Sequence, residues 1–186
     1  MAEQAWVKIS DEGCEPGKSA RIYEQVTADR GSCFKMGKAA GVWPGLKEIQ
    51  QREFELFFGD KDTALGCDIK DLVGVLVSQL NNSDYCDGWF RAALLLRGWS
   101  DEKITHIMQD IDSGHLDAAG RAVMDLANKM VRRPQSIDQA DIAAARAAGL
   151  SERCIIEVSA LTGYLDHMTL LAKILGAMDG ESAETA

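Results

Sequence analysis

Apolar residues recur three and four positions apart along most of the chain, which is the spacing of one face of an α-helix. The 186 residues include only three prolines, and no stretch alternates convincingly between apolar and polar residues over the length of a strand. The pattern therefore predicts an all-α protein. The predicted helices run over about 18–29, 46–58, 68–80, 84–97, 101–111, 116–132, 138–148 and 152–177.

The segment IKDLVGVLVSQL (69–80) is apolar nearly all round, so we expect it to form a central, buried helix. With the next predicted helix it would make a buried helical hairpin over about 68–97. Asp71 is the anomaly, because a carboxylate close to a buried face needs a partner or a chemical role. The favoured interpretation is that Asp71 is exposed in the first turn, where the positive end of the helix dipole stabilises it.

Two joints between predicted helices, RGWSDEKI (97–104) and AGLSERCI (148–155), share one order of residue types: glycine, an apolar residue, serine and an acid. Glycine can adopt the left-handed conformation that ends a helix, and serine then caps the next helix. Each joint therefore predicts two helices joined by a very short turn. Ser136 is predicted to start a further helix by similar means, with Gln139 at the capping-box position.

The length and composition predict one globular domain over 1–179, with a mobile N-terminal segment and a disordered tail at 180–186. Hydrophobic residues make up 46% of the chain, yet no uninterrupted apolar span approaches membrane length. The first residues, MAEQAWVKIS, lack the basic region and apolar core of a secretory signal. A cytoplasmic location is therefore expected, with no attachment to a membrane.

The formal net charge is −9, and no block of basic residues interrupts the acidity. Nucleic acids and anionic membranes are therefore improbable partners, because both require clustered Lys and Arg. The five cysteines are odd in number, widely spaced and form no Cys-x-x-Cys pair, which argues against a disulfide framework or a zinc site. The three histidines are scattered as well, so we predict no metal site and no cofactor.

The stretch NNSDYCDGWF (81–90) places a polar turn and a single cysteine after the apolar helix. Ser83 is the natural N-cap of the next helix, and its hydroxyl can accept a hydrogen bond from the Cys86 backbone N–H. The helix N-terminus lowers the pKa of a thiol in this position, whereas the flanking Asp84 and Asp87 raise it. The sequence leaves the direction of the net shift open, and a small buried hydrophobic role for Cys86 is the simplest alternative.

The run DLVGVLVSQLNNSDYCDGWF (71–90) resembles the core motif of the alkylhydroperoxidase AhpD-like proteins, within the carboxymuconolactone decarboxylase superfamily. The segments ARAAGLSERCIIEV (145–158) and GYLDHMTLLAKILG (163–176) are similar to the peroxidase-related members of that family. The resemblance covers most of the chain. It implies an AhpD-like bundle of several helices with a central helical hairpin.

In that family a glutamate opens the buried helix, and a Cys-x-x-Cys pair at the start of the next helix is followed by a relay histidine. The resemblance places these functions at Asp71, at Ser83 and Cys86, and at Phe90. Cys86, which takes the position of the peroxide-reactive cysteine, is the one match. Serine cannot resolve a sulfenic acid, and phenylalanine cannot carry a proton. The resemblance therefore implies a degenerate site with one cysteine.

Other groups could replace the missing partners. A small thiol or a protein partner could resolve an oxidised Cys86, or Cys67 could do so, although it lies about 20 Å along its helix from the turn at 1.5 Å per residue. Water, His115 or His167 could supply the missing proton relay.

The first functional hypothesis is a thiol-dependent peroxidase with an antioxidant role, an oxidoreductase in which Cys86 is the nucleophile and Asp71 a remote base. Its substrate would be a small hydroperoxide, and its partner a thiol reductant. A catalytically inactive structural relative is another hypothesis, because it requires the fewest conserved chemical groups.

A further hypothesis is an enzyme that resembles the carboxymuconolactone decarboxylases and acts on a small carboxylic acid without a cofactor. The residues expected to line its pocket are Asp71, Ser83, Tyr85 and the segment 164–169. His167 would be the candidate acid or base. The favoured interpretation of His167 is simpler: a partly exposed helix residue that pairs with Asp166.

The aromatic residues Trp43, Phe57 and Phe58 are expected to be exposed, which favours burial between subunits. The family resemblance also implies a symmetric homo-oligomer, which would be a dimer, trimer or hexamer. The segment WPGLKEIQQREFELFFG (43–59) is the predicted contact with a partner subunit, with packing in the core of one subunit as the alternative.

Overall fold

The structure is a computed structural model that describes residues 43–58 and 63–174. These residues contain seven α-helices, a short 3-10 helix at Pro134–Ser136 and no strand, so the all-α prediction is confirmed. In chain order the helices are α1 (Pro44–Phe58), α2 (Cys67–Leu80), α3 (Asp84–Leu96), α4 (Asp101–Gln109), α5 (Ala118–Arg132), α6 (Gln139–Ala147) and α7 (Glu152–Ile174). The predicted helix at 18–29 and the predicted tail at 180–186 lie outside the described residues.

The described residues fall into two compact units, one formed by 43–58 with 171–174 and the other by 63–170. Every candidate site residue named from the sequence lies in the second unit. The single domain over 1–179 stays a prediction.

Helix α2 is the centre of the second unit, as its apolar sequence predicts. Residues 70–78 are all buried, and the helix packs most extensively against α3 and then against α5. Even Lys70 is fully buried, and its ammonium group donates a hydrogen bond to the Thr63 hydroxyl at 3.1 Å. The predicted central helical hairpin is therefore present as α2 and α3.

The two short joints have the predicted conformation. Gly98 and Gly149 end their helices with positive φ angles of 87° and 100°, which L-residues with a Cβ rarely adopt. Ser100 and Ser151 each accept a hydrogen bond from the backbone N–H three residues later, at 3.2 Å in both cases. At each joint, therefore, the glycine ends one helix and the serine caps the start of the next.

The predicted start of α6 at Ser136 is wrong. Ser136 belongs to the 3-10 helix, and Asp138 is the N-cap of α6. The Asp138 carboxylate accepts hydrogen bonds from the first turn, and the Asp141 carboxylate accepts one from the Asp138 N–H at 2.9 Å. This reciprocal capping box satisfies more backbone donors than a serine hydroxyl could.

Helix α1 differs from the prediction in which aromatic side chains it exposes. Trp43, just before the helix, is 67% exposed as expected, but Phe57 is only 6% exposed. Phe58 is half-buried and stacks on Phe54 with ring centroids 5.3 Å apart. Within the described ranges, no helix is long and apolar enough to cross a membrane.

Candidate functional site

The turn between α2 and α3 places Ser83 at the N-cap of α3. Asn82 takes a left-handed conformation with φ of 51°, which asparagine tolerates better than most residues. The Ser83 N–H then donates to the Ser78 carbonyl at 2.8 Å. The predicted capping bond is absent, because the Ser83 side chain accepts no hydrogen bond from the first turn of α3.

The Ser83 hydroxyl is instead buried beside the Cys86 thiol. It forms no hydrogen bond of regular geometry with any group in the described part of the chain, yet it is close enough to lower the pKa of Cys86. We interpret the pair as a loose contact, in which the hydroxyl can donate to a thiolate when one forms. Ser83 and Cys86 are therefore brought together, but by a side-chain contact and not by the predicted cap.

Cys86 is 7% exposed, and burial is the largest influence on the pKa of its thiol. Burial raises the pKa of Cys86 above its ordinary value of 9.0, and the nearby Ser83 hydroxyl offsets only part of that rise. The direction of the net pKa shift of Cys86, which the sequence left open, is therefore upward. The thiolate, which is the nucleophilic form, is therefore disfavoured at Cys86.

Phe90 lies against the backbone of α2 at Gly74. A Cβ atom added to Gly74 would lie 2.5 Å from Cγ of the Phe90 ring, so only glycine leaves room for the ring here. Phe90 is 7% exposed and belongs to the apolar core. The position that the family resemblance assigns to a relay histidine therefore holds an aromatic ring that fills space and cannot transfer protons.

Asp71 is fully buried, so the favoured interpretation of an exposed Asp71 is wrong. Because α2 begins at Cys67, Asp71 lies beyond the first turn and on the packed side of the helix. Its Oδ2 forms an ion pair with Nη1 of Arg97, whereas its Oδ1 is buried without a hydrogen-bond partner among the described residues. The partner that a buried carboxylate requires is thus Arg97.

Arg97 was not among the residues singled out from the sequence. It is the C-cap of α3, and its side chain is 34% exposed. Its Nε also lies 3.8 Å from Oδ1 of Asp68, whose Oδ2 accepts a hydrogen bond of 2.9 Å from the Trp99 indole. A short network of charged and polar groups therefore closes the end of the hairpin that is remote from the turn.

The segment 164–169 meets the turn through Asp166 and Thr169. The Asn81 side-chain amide donates to Oδ1 of Asp166 and lies at hydrogen-bond distance from Oγ1 of Thr169, both at 2.7 Å. Asp166 thus accepts a hydrogen bond from Asn81. Among the ion pairs of the described residues, none joins Asp166 to His167, which was its predicted partner. His167 is exposed, and Tyr85 is half-buried on the first turn of α3.

The remaining candidates lie away from Cys86. Cys67 is exposed at the first residue of α2, which is the opposite end of the hairpin. His115 is exposed and stacks on His106 with ring centroids 5.9 Å apart. In the ranges that the structure describes, no three His, Cys, Asp or Glu residues gather as metal ligands would.

No family model matches this chain, and no curated protein matches it either. Solved structures do. A peroxidase-related protein from Silicibacter sp. TM1040 has a TM-score of 0.78 at 21% identity, with 96% of each chain covered. An alkylhydroperoxidase AhpD core protein from Ralstonia eutropha JMP134 has a TM-score of 0.83 at 16% identity, over 95% of this chain and 93% of that one.

A third similar structure is the debrominase Bmp8, with a cysteine changed to alanine, in complex with 2,3,4-tribromopyrrole. Its TM-score is 0.74 at 16% identity, over 97% of this chain and 95% of that one. Proteins with different described activities therefore share this architecture. The similarity at these identities concerns the fold, and the predicted fold is confirmed: the chain has the all-α AhpD-like fold of the peroxidase-related proteins.

Proposed function

We propose that this protein is a thiol-dependent, alkylhydroperoxidase-like enzyme with one reactive cysteine, and that Cys86 reduces a small hydroperoxide. The observation that carries the proposal is the position of the Cys86 thiol, in the first turn of α3 beside the Ser83 hydroxyl. The alkylhydroperoxidase-related solved structures support the fold on which such a site is built.

The proposed reaction needs no second cysteine in the chain. The Cys86 thiolate attacks one oxygen of the hydroperoxide, so that an S–O bond forms, the O–O bond breaks and an alcohol leaves after taking up a proton. Cys86 is thereby oxidised to a sulfenic acid. One low-molecular-weight thiol then displaces water to give a mixed disulfide, and a second thiol releases Cys86 as the reductant leaves as its own disulfide.

The surroundings of Cys86 define the role of each neighbour. The Ser83 hydroxyl stabilises the thiolate by donating to it, which partly counteracts the effect of burial on the pKa of Cys86. In this proposal Asp71 takes no part as the predicted remote base, because its carboxylate is ion-paired with Arg97. Phe90 keeps the space next to α2 apolar. The reaction is therefore expected to be slow at neutral pH and to accelerate as the pH rises.

The test is the oxidation of Cys86 by tert-butyl hydroperoxide between pH 6 and 10, followed by trapping of the sulfenic acid with dimedone and peptide mass spectrometry. Cys67→Ser, which removes an exposed thiol, is the matched control for Cys86→Ser. The proposal expects trapping at Cys86 in the wild type and in Cys67→Ser, with turnover when a small thiol is added. Oxidation confined to other cysteines would refute it.

A catalytically inactive relative is the second candidate, and the raised pKa of Cys86 favours it. On this alternative the thiol is a small buried hydrophobic group, and neither peroxide nor an alkylating agent reacts with it in the folded protein. The decarboxylase-like alternative has less support, because Asp71 is fully buried and His167 is exposed. Since a debrominase has this fold, a brominated pyrrole belongs in the substrate panel beside the hydroperoxide.

We also propose that the chain forms a homo-oligomer, as predicted from the sequence. Exposed apolar side chains support this: Leu95 and Leu96 of α3 are 45% and 89% exposed, and Leu56 of α1 is 63% exposed. Light scattering of Leu96→Asp and Leu56→Asp would show which helix contributes to the contact. A wild-type protein that is monomeric at micromolar concentration would contradict the proposal.

A further inference from the structure

A half-open cleft of about 470 Å³ lies beside the turn between α2 and α3. Four of its eight lining residues are apolar, namely Leu76, Leu80, Met108 and Val131. None of the candidate residues Asp71, Ser83, Cys86 and His167 lines it. The volume is in the range of small-molecule sites, which extends from about 300 to 1,000 Å³. The cleft is therefore a second place, distinct from the thiol, where this protein can hold a ligand.

The rim of the cleft is polar and carries positive charge. Its polar lining residues are Gln79, Asn81, Asn82 and Arg132, so it includes one cation and no carboxylate. In a chain with a net charge of −9, such a lining is unusual. Arg132 is consequently the group of the cleft that can attract an anion.

The rim side chains are held in place before any ligand arrives. Gln79 donates its amide to Asp87 at 3.1 Å, and the Asn81 amide is held by α7. Nε of Arg132 donates to Oδ1 of Asn128 at 3.0 Å, so its terminal nitrogens can form the two-pronged pair that guanidinium makes with a carboxylate or sulfonate. Ordering these side chains on binding would therefore cost little entropy.

The carboxyl ends of α2 and α5 meet at this cleft, and their dipoles oppose an anion. At α2 this effect is reduced, because the last carbonyls already accept hydrogen bonds. Val77, Ser78 and Gln79 accept from the backbone N–H groups of residues 81–83 at 2.8 to 3.1 Å. Arg132 carries a full charge, which is larger than the partial charge of either helix end. Of the two carboxylates that hold the cleft's amides, Asp87 is ion-paired with Arg91 at 2.8 Å, whereas Asp166 accepts from Asn81.

We infer that this cleft binds a small organic anion, namely a carboxylate or sulfonate with a compact alkyl or aryl body. The four apolar lining side chains would contact the body, and Arg132 would bind the head group. Since neither Cys86 nor Ser83 takes part, the inference does not depend on the proposed peroxidase reaction and is tested by binding alone.

The probe is 8-anilinonaphthalene-1-sulfonate, which combines an aryl body with an anionic head and becomes fluorescent in apolar surroundings. The wild-type protein is expected to bind one equivalent per chain. Arg132→Gln should weaken binding about tenfold, the loss expected for one charge-assisted hydrogen bond. Arg133→Gln is the matched control: it removes the same charge from the neighbouring residue, which does not line the cleft, and should leave the affinity unchanged.

Octanoate should displace the probe, whereas octanol at the same concentration should not. Equal effects of Arg132→Gln and Arg133→Gln, or equal competition by octanol, would overturn the inference, as would a lack of saturable binding. If Arg132→Gln does not fold, Met108→Trp, which enlarges another lining side chain and narrows the cleft, must likewise weaken binding. Retention of full affinity in Met108→Trp would also overturn it.

Discussion

The two ends of the α2–α3 hairpin differ in how their polar groups are stabilised. At the turn, Ser83 and Cys86 are neutral, lie three residues apart in sequence and are both buried. At the opposite end, Asp71 and Arg97 are charged, and the ion pair joins residues that are 26 positions apart. The turn end thus buries neutral groups that are neighbours in sequence, whereas the remote end buries a carboxylate whose cationic partner comes from the end of the other helix.

The two ends of the hairpin are also separated by an apolar side chain. A relay from a carboxylate to a thiol requires a group that transfers protons between the two ends. Phe90, packed on Gly74, occupies the space between them, and Arg97 holds the Asp71 carboxylate at its own end. Because no relay joins the two ends, mutations at one end should not change the behaviour of the polar groups at the other.

The largest effect is expected at the remote end, in Arg97→Met. The variant leaves the Asp71 charge buried without its partner, which should lower the free energy of unfolding by about 3 kcal/mol. Urea denaturation measures the loss. The double variant Asp71→Asn with Arg97→Met removes both charges and should recover most of it. A stable single variant would show that Arg97, which is partly exposed, contributes little to the pair.

Gly74→Ala tests the region between the two ends. The added methyl would lie 2.5 Å from the Phe90 ring, and relief of that clash should cost about 2 kcal/mol despite the better helix propensity of alanine. Thermal unfolding gives the measurement. Adding Phe90→Leu makes room and should restore part of the stability, whereas an unchanged melting temperature in Gly74→Ala alone would mean that the ring moves aside freely.

The turn end is also the part of the hairpin that the sequence predicts best. Ser83 is the N-cap residue of α3 and Cys86 lies in its first turn, as predicted, although the predicted capping hydrogen bond is absent. Asp71 was misjudged, because its burial and its choice of Arg97 depend on how α3 packs and ends. A signal did exist: in an antiparallel hairpin the end of α3 returns to the start of α2, and Arg97 is the cation there.

The direction of the pKa shift of Cys86 could not be predicted from the sequence either. Helix position and flanking acids were the only effects visible in NNSDYCDGWF, and they oppose each other. Burial is the largest cause of the raised pKa of Cys86, and burial is a property of the packed bundle. The hydrophobic pattern and the capping residues therefore predict the helices, whereas predicting ion pairs and pKa shifts requires the tertiary structure.

A smaller effect on stability is expected for Asn81→Ala, which removes a contact between the turn and α7. The variant removes the amide that holds Asp166 and Thr169, and a loss of about 1 kcal/mol in the free energy of unfolding follows from typical hydrogen-bond contributions. Asn82→Gly is the matched control in the same turn, because glycine accepts the left-handed conformation of residue 82. A larger loss in Asn82→Gly than in Asn81→Ala would contradict the assignment.

The smallest effect on stability is expected for Ser83→Ala, although it changes the chemistry of the turn end most directly. An N-cap serine usually contributes about 1 kcal/mol, but this hydroxyl makes no capping bond, so stability should change little. The hydroxyl lowers the pKa of Cys86, so its removal should raise that pKa further. Because only the thiolate reacts, alkylation of Cys86 by iodoacetamide should slow at pH 7 and converge with the wild type at the alkaline plateau, with Cys86→Ser as the background. A loss near 1 kcal/mol with an unchanged pH profile would show that Ser83 caps the helix and does not assist the thiol.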